Sequence, residues 1–204
     1  MDSLDAGPPR PLARGEVDPG LISAAALAIA IWGLAGLLAA ARFDGLTRLL
    51  CLLGAAGAMQ LCLLGSRLAN KALAPSALHQ PANRARSAFL DRLSESLLLV
   101  GAGYGAAAVG VGWARDAGWL AAVLGLLDAQ VGAPMTLFDR RQITLTALSF
   151  LAIASALVEP GWLAPGRAMA AGLALIALFS AVLTAIRLAR PSTNGVQAEF
   201  PGRR

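Results

Sequence analysis

Six continuous apolar blocks divide this chain of 204 residues, and they leave few folds open to it. The first block, residues 21–41, contains no charged residue. A helix needs about 17–25 predominantly apolar residues to cross a bilayer. The remaining blocks are residues 49–66, 96–114, 117–138, 142–158 and 168–186. Because their hydrophobicity does not alternate, they predict helices rather than the strands of a barrel.

The fold class predicted by these blocks is all-α, a polytopic membrane bundle of six transmembrane helices. We expect a polar cytoplasmic leader at residues 1–20, a six-helix transmembrane domain at residues 21–190 and a polar tail at residues 191–204. Charged residues make up only 14% of the chain, whereas soluble domains carry about 25%. The composition therefore excludes an ordinary water-soluble domain.

The positive charges predict how the bundle is oriented. Thirteen of the 17 Lys and Arg residues lie in the leader, in the second and fourth connections and after the sixth block. The other connections hold four: Arg42, Arg48, Arg115 and Arg167. Cytoplasmic loops carry the excess of positive charge, so both termini are predicted to be cytoplasmic. Three tryptophans lie in or next to the arginine-poor connections, as an aromatic belt would require: Trp113, Trp119 and Trp162.

The same charge pattern bears on location and partners. The net charge of +5 is explained by orientation in a membrane, so no nucleic-acid partner is expected. Heavy use of Ala, Leu, Gly and Arg is typical of a GC-rich bacterial genome. We therefore expect the bacterial inner membrane, with membrane lipids as the surrounding partners.

Small residues crowd the third block, where Gly101 and Gly105 form a GxxxG pair and Ala106 and Gly110 repeat the spacing. In lipid, such residues allow two helices to approach closely. One interpretation is the seam of a homodimer. The other, which we favour, is tight packing within a single bundle. The motif alone does not identify the partner helix.

The long polar connection between the second and third blocks, residues 67–92, carries five positive charges. Four of them are candidate contacts for phosphate or lipid head groups: Arg67, Lys71, Arg84 and Arg86. Topology alone also explains these charges. His79 lies in the same connection without the neighbours that a metal ligand requires, and we expect it to be a solvated loop residue.

Three acids are candidates for a functional role. Asp91 and Glu95 are four residues apart near the start of the third helix, so they project from one face. They either bind a divalent cation or match the dipole of the helix N-terminus, and the second explanation is the simpler. Asp128 lies inside the fourth block, where a charged side chain costs about 2.5–3.5 kcal/mol. Functional and structural interpretations of Asp128 are equally open.

The segments 59–70, 90–95 and 99–104 together resemble the CDP-alcohol phosphatidyltransferases, which are six-helix membrane enzymes with cytoplasmic termini. That family carries the pattern D-x2-D-G-x2-A-R, a short spacer and G-x3-D-x3-D. The resemblance implies phospholipid biosynthesis by transfer of a phosphoalcohol group from a CDP-linked donor. Four aspartates would hold two divalent ions on the diphosphate, and the last would be the base.

Most of this pattern is absent from the chain. The first two aspartates fall at Cys62 and Gly65, and the third falls at Ser87. Only the fourth is retained, as Asp91, which is thus the one candidate catalytic residue. The other positions of the pattern carry Ser66, Ala69, Asn70 and Asn83, of which only Ala69 matches the family. Hard cations need about six oxygen ligands each, so we expect no metal and no cofactor.

Two functional hypotheses follow. The first is a pseudoenzyme that keeps the fold and acts as a homodimer, or as a heteromer with an active relative. The second is an active phosphotransferase with a site rebuilt around Asp91, Glu95 and Asp128, which would require Mg²⁺ or Mn²⁺. A small transporter is a third class, but the internal symmetry or paired broken helices typical of transporters are not evident.

Overall fold

The computed structural model describes residues 19–73, 81–131, 140–157 and 166–189, and these residues form helices without any strand. The prediction of an all-α fold is therefore confirmed. The predicted tail and nearly all of the predicted leader lie outside the described residues. Six helices are described: α1 (Pro19–Ala40), α2 (Gly45–Leu73), α3 (Pro81–Ala108), α4 (Ala114–Val131), α5 (Arg140–Leu157) and α6 (Arg167–Ala189).

Three of the described helices are long and apolar enough to cross a membrane: Leu21–Ala40 in α1, Gly45–Leu68 in α2 and Arg167–Ile186 in α6. Large apolar side chains on the outside of the bundle, such as Trp32 and Phe150, are exposed. These features indicate a membrane protein. Polar and charged residues lower the hydropathy of α3 and α5, and membrane crossing by α3, α4 and α5 stays a prediction.

The connection predicted at residues 67–92 is wrong in its extent. Helix α2 continues to Leu73 and α3 begins at Pro81, so most of this polar stretch is helical. Charge marks where a helix leaves the apolar layer, but Arg, Ala and Leu remain good helix formers beyond it. Proline at the first helical position suits the start of α3, because its missing N–H has no partner there. His79 lies outside the described residues.

The six helices pack as a closed ring in the order α1, α3, α4, α6, α5 and α2. Helix α3 also contacts α2, α5 and α6, so it touches every other described helix. Residues on the buried face of α3 are therefore placed near the centre of the bundle. Its buried core side chains include Leu98 and Leu99, which pack with Met59 of α2 and Leu145 of α5.

Glycines on α3 allow helices α4 and α1 to approach it closely. A Cβ atom on Gly103 would lie 2.7 Å from the carbonyl oxygen of Ala114 and 3.2 Å from Cα of Gly118 in α4. A Cβ on Gly105 would lie 2.8 Å from the carbonyl oxygen of Leu37 in α1, and one on Gly101 would meet Leu34. These glycines serve packing within one bundle, as favoured above, and not the seam of a dimer. Dimerisation through another surface stays a prediction.

We expect Gly103→Ala to lower the free energy of unfolding by about 1–3 kcal/mol, because helices α3 and α4 must move apart. The better helix propensity of alanine, worth up to about 1 kcal/mol, offsets only part of this. Gly57→Ala is the control, since its Cβ would meet no described atom within 4 Å and should be neutral or stabilising. Unfolding in mixed detergent micelles measures both, and equal effects would contradict the packing described.

Candidate functional site

Buried polar side chains gather at one end of the ring, which we call the polar end. The chain alternates direction, so the starts of α1, α3 and α5 meet the ends of α2, α4 and α6 there. Contacts that cross between helices establish this arrangement: Ser23 with Ser87, Arg141 with Asp91, and Arg140 with Ser180. The buried polar residues of this end are Ser23, Ser66, Ser87, Ser94, Glu95, Arg140, Arg141, Thr144, Ser180 and Thr184.

Asp91 and Arg141 form the central ion pair of the polar end. Nη1 of Arg141 lies 2.9 Å from Oδ2 of Asp91, and the two side chains are only 4% and 13% exposed, respectively. Nη2 of Arg141 donates to the Ser94 hydroxyl at 2.9 Å, and that hydroxyl donates to the Asp91 carbonyl at 2.8 Å. This ion pair and the Ser94 hydroxyl therefore join α3 to α5.

Glu95 lies one turn further along α3 and is more deeply buried, with only 2% of its side chain exposed. Its Oε2 accepts a hydrogen bond from Nη1 of Arg92 at 3.1 Å, within the same helix. Its other oxygen, Oε1, has no hydrogen-bond partner among the described residues. Both acids of α3 are thus paired with an arginine.

Arg140 connects α5 to the other side of the ring. Its Nη2 donates to the Ser180 hydroxyl of α6 at 2.9 Å, and Nη1 donates to the Leu124 carbonyl of α4 at 3.4 Å. A Cβ on Gly125 would lie 2.9 Å from Nη2, so glycine provides the space that the guanidinium fills. Adjacent arginines therefore hold four helices together at this end.

The residues at the family's first three aspartate positions all face α1. The Cys62 thiol donates to the Ala26 carbonyl at 3.2 Å. A Cβ on Gly65 would lie 3.3 Å from Cβ of Ala26. The Ser87 hydroxyl lies 2.6 Å from the hydroxyl of Ser23. Each of these positions makes a contact between helices, so the start of α1 lies against them.

The remaining predicted site residues fall into three groups. Ser66 is buried, but its hydroxyl donates to the Cys62 carbonyl within α2 at 3.0 Å. Arg67 and Arg86 are exposed. Six predicted residues lie on helices but have side chains outside the described part of the chain: Ala69, Asn70, Lys71, Asn83, Arg84 and Asp128. The contribution proposed for Asp128 therefore stays a prediction.

The prediction that Asp91 lies at a helix N-terminus is wrong. Helix α3 begins at Pro81, about three turns earlier, and the helix dipole acts only within the first turn. The charge of Asp91 is instead balanced by Arg141, which approaches from α5. Helix α3 extends further towards its N-terminus than the apolar pattern predicted.

The residues present do not fit a site for two divalent cations. A thiol, a glycine and a hydroxyl replace three of the four carboxylates, and each contacts α1. The fourth carboxylate, Asp91, forms an ion pair with Arg141. The positive charge of Arg141 would repel a metal cation. Within the described residues, no group of three His, Cys, Asp or Glu side chains is arranged to hold a metal ion.

Sequence reasoning missed the two residues that organise the polar end, Arg140 and Arg141. They were counted only as positive charges that orient the fourth connection. A usable signal was available, because buried arginines are rare unless paired. In an up-and-down bundle, the starts of α3 and α5 lie at the same end. An arginine at the start of α5 can therefore meet an acid in the first half of α3, as Arg141 meets Asp91.

Comparison of the chain with protein-family models, with curated proteins and with solved structures finds no match.

Proposed function

We propose that this chain is a non-catalytic membrane relative of the CDP-alcohol phosphatidyltransferases. In this proposal it is a six-span protein of the bacterial inner membrane with both termini in the cytoplasm. It acts as a partner subunit of an active relative in phospholipid biosynthesis. The resemblance of helices α2 and α3 to the family supports the fold, and the arrangement of the polar end supports the loss of catalysis.

The observation that carries the proposal is the ion pair between Asp91 and Arg141. The last aspartate of the family pattern would have to accept a proton from an attacking alcohol. In this chain a buried guanidinium lies 2.9 Å from that carboxylate, so the group that would accept the proton is engaged in an ion pair. The same contact joins two helices, so in this chain Asp91 serves the assembly of the bundle.

The contacts of Cys62, Gly65 and Ser87 with α1 support the same conclusion. In an active relative, the corresponding side chains would point carboxylates into an open cavity. Here a thiol, a glycine and a hydroxyl allow α1 to approach α2 and α3 closely. At these positions, close packing of helices replaces a charged cavity. The three residues therefore have a structural role in this proposal.

One observation favours the alternative, an active enzyme with a rebuilt site. Asp91 and Glu95 share a face of α3, and Oε1 of the buried Glu95 has no hydrogen-bond partner among the described residues. With Asp128, these acids would have to supply the ligands for a divalent cation. We rank this alternative second because each of the two acids already contacts an arginine.

Transferase chemistry tests the proposal directly. Purified protein should exchange labelled CMP into a CDP-linked lipid donor no faster than a protein-free blank, with either Mg²⁺ or Mn²⁺ present. An active family enzyme prepared in the same detergent is the positive control. Metal-dependent exchange that Asp91→Asn abolishes would overturn the proposal and establish the alternative. Exchange activity that co-purifies with the chain from native membranes and survives Asp91→Asn would identify an active partner.

A further inference from the structure

One polar side chain interrupts the apolar outer surface of the helices that are long enough to cross a membrane. Gln60 of α2 is exposed on the outside of the bundle. It belongs to the stretch Gly45–Leu68 and lies about 5 Å from the middle of that stretch, at 1.5 Å per residue. Away from the ends of the three such stretches, every other exposed side chain that the structure describes is apolar. Gln60 is therefore an exception that requires an explanation.

The position of Gln60 leaves its amide without a partner in the bundle. The side chain forms no hydrogen bond with another described residue. A polar group without a partner is unfavourable in hydrocarbon, where water is not available to satisfy it. In membrane proteins, glutamine side chains satisfy this requirement by hydrogen bonding to a neighbouring helix. Gln60 thus indicates a helix that packs against the outside of α2.

Two glycines on the same side of α2 independently indicate a close neighbour. A Cβ atom on Gly54 or on Gly57 would meet no described atom within 4 Å. By contrast, Gly103 and Gly105 of α3 each face a neighbouring helix of the bundle at close range. Packing among the described residues does not require glycine at positions 54 and 57. A second helix that approaches α2 closely from outside would require it.

These residues belong to one continuous stripe, which we call the outer α2 face. Residues three or four apart on a helix are neighbours on its surface, and Gly57 lies at the centre of the stripe. Exposed leucines flank the glycines, so leucines of one such face can pack over the glycines of another. The outer α2 face consists of Leu53, Gly54, Gly57, Gln60, Leu61 and Leu64.

We propose that the outer α2 face binds the same face of a second copy of this chain. Two copies in one membrane have the same orientation, so each Gln60 meets the other at the same depth across a two-fold axis. An amide carries both donors and an acceptor, so the two side chains satisfy one another in an isologous interface. An unrelated partner would need a polar group at that depth. The proposal does not depend on the function proposed above.

Energy transfer between two fluorescent fusions of the full-length chain measures the association. Donor and acceptor fusions are reconstituted together into phosphatidylethanolamine and phosphatidylglycerol vesicles, at decreasing ratios of protein to lipid. The wild type should show more transfer than a monomeric membrane protein labelled in the same way, and the excess should follow a dimerisation curve. Transfer that never exceeds this reference would show that lipid covers the outer α2 face, and would overturn the proposal.

Variants identify the surface that associates. Gln60→Leu should weaken association about tenfold, whereas Gln60→Asn, which keeps the amide, should retain most of it. Gly57→Leu should weaken association at least tenfold, because the added side chain separates the two helices. Ala174→Leu is the matched control, since Ala174 is exposed in the membrane-spanning stretch of α6, and it should have no effect. A loss with Ala174→Leu as large as with Gly57→Leu would overturn the proposal, as would undiminished association of Gln60→Leu.

Melting at high dilution, where the wild type is monomeric, separates association from folding. Gln60 is exposed, and a Cβ on Gly57 would meet no described atom. Gln60→Leu and Gly57→Leu should therefore melt at the same temperature as the monomeric wild type. Weaker association with unchanged melting supports the interface. Lower melting temperatures for both variants at this dilution would show that these positions serve packing within the bundle, and would contradict the proposal.

Discussion

Arg141→Met should be among the most destabilising single substitutions in this protein, lowering the free energy of unfolding by about 3–5 kcal/mol. Methionine fills much of the volume of the arginine side chain but removes its charge. The largely shielded carboxylate of Asp91 would then lose the guanidinium that lies 2.9 Å away in the wild type. The cost arises because a carboxylate that is largely shielded from water loses an opposite charge at close range.

The double variant Asp91→Leu with Arg141→Met is the informative control. Replacing a whole buried ion pair with apolar residues of similar volume is often neutral or stabilising, so it should recover most of the loss. Arg115→Met serves as a second control, since its pair with Asp116 is exposed and such pairs contribute about 0–1 kcal/mol. Unfolding of all variants in one detergent mixture measures the differences. A double variant as unstable as Arg141→Met would contradict the proposed cause.

Ser87→Asp, which restores an aspartate of the family pattern, should also be strongly destabilising, by about 2–5 kcal/mol. The new carboxylate would be buried against Ser23 of α1, where the wild type has two hydroxyls 2.6 Å apart. Ser87→Ala should cost only about 1 kcal/mol, the usual contribution of one hydrogen bond.

The charge and the size of the new side chain can be separated with Ser87→Asn, which has nearly the volume of aspartate without its charge. We expect it to be less destabilising than Ser87→Asp by at least 1 kcal/mol. Equal losses would assign the effect to crowding against α1. No loss with Ser87→Asp would show that this position faces an open, hydrated cavity, contrary to the packing described.

The sequence predicted well those features that depend on local hydrophobicity. The uncharged block at residues 21–41 corresponds closely to α1, Pro19–Ala40, because the span of a membrane sets both limits. The start of α3 was predicted at Asp91, ten residues after its position at Pro81, because helix propensity continues where hydrophobicity ends. A pattern that measures hydrophobicity finds the apolar part of a helix and not its polar extension.

The candidate site was only partly predictable for a different reason. The family pattern drew attention to Cys62, Ser87 and Asp91, but a pattern assigns positions and not partners. The contacts with Ala26, Ser23 and Arg141 depend on which helices are neighbours in the ring. That order comes from packing between segments far apart in sequence, so residue types and spacing alone did not reveal it.

The melting temperature of Asp91→Asn, with and without Mn²⁺, tests the central claim most directly. If Asp91 is a structural partner of Arg141, the metal-free variant should melt several degrees below the wild type, and millimolar Mn²⁺ should shift neither protein. A specific ligand at a hundredfold excess over its Kd would add about 2.7 kcal/mol of stability. If Asp91 instead belongs to a metal site, neutralising it should relieve repulsion and raise the metal-free melting temperature. Mn²⁺ should then stabilise only the wild type, and this pair of results would contradict the account.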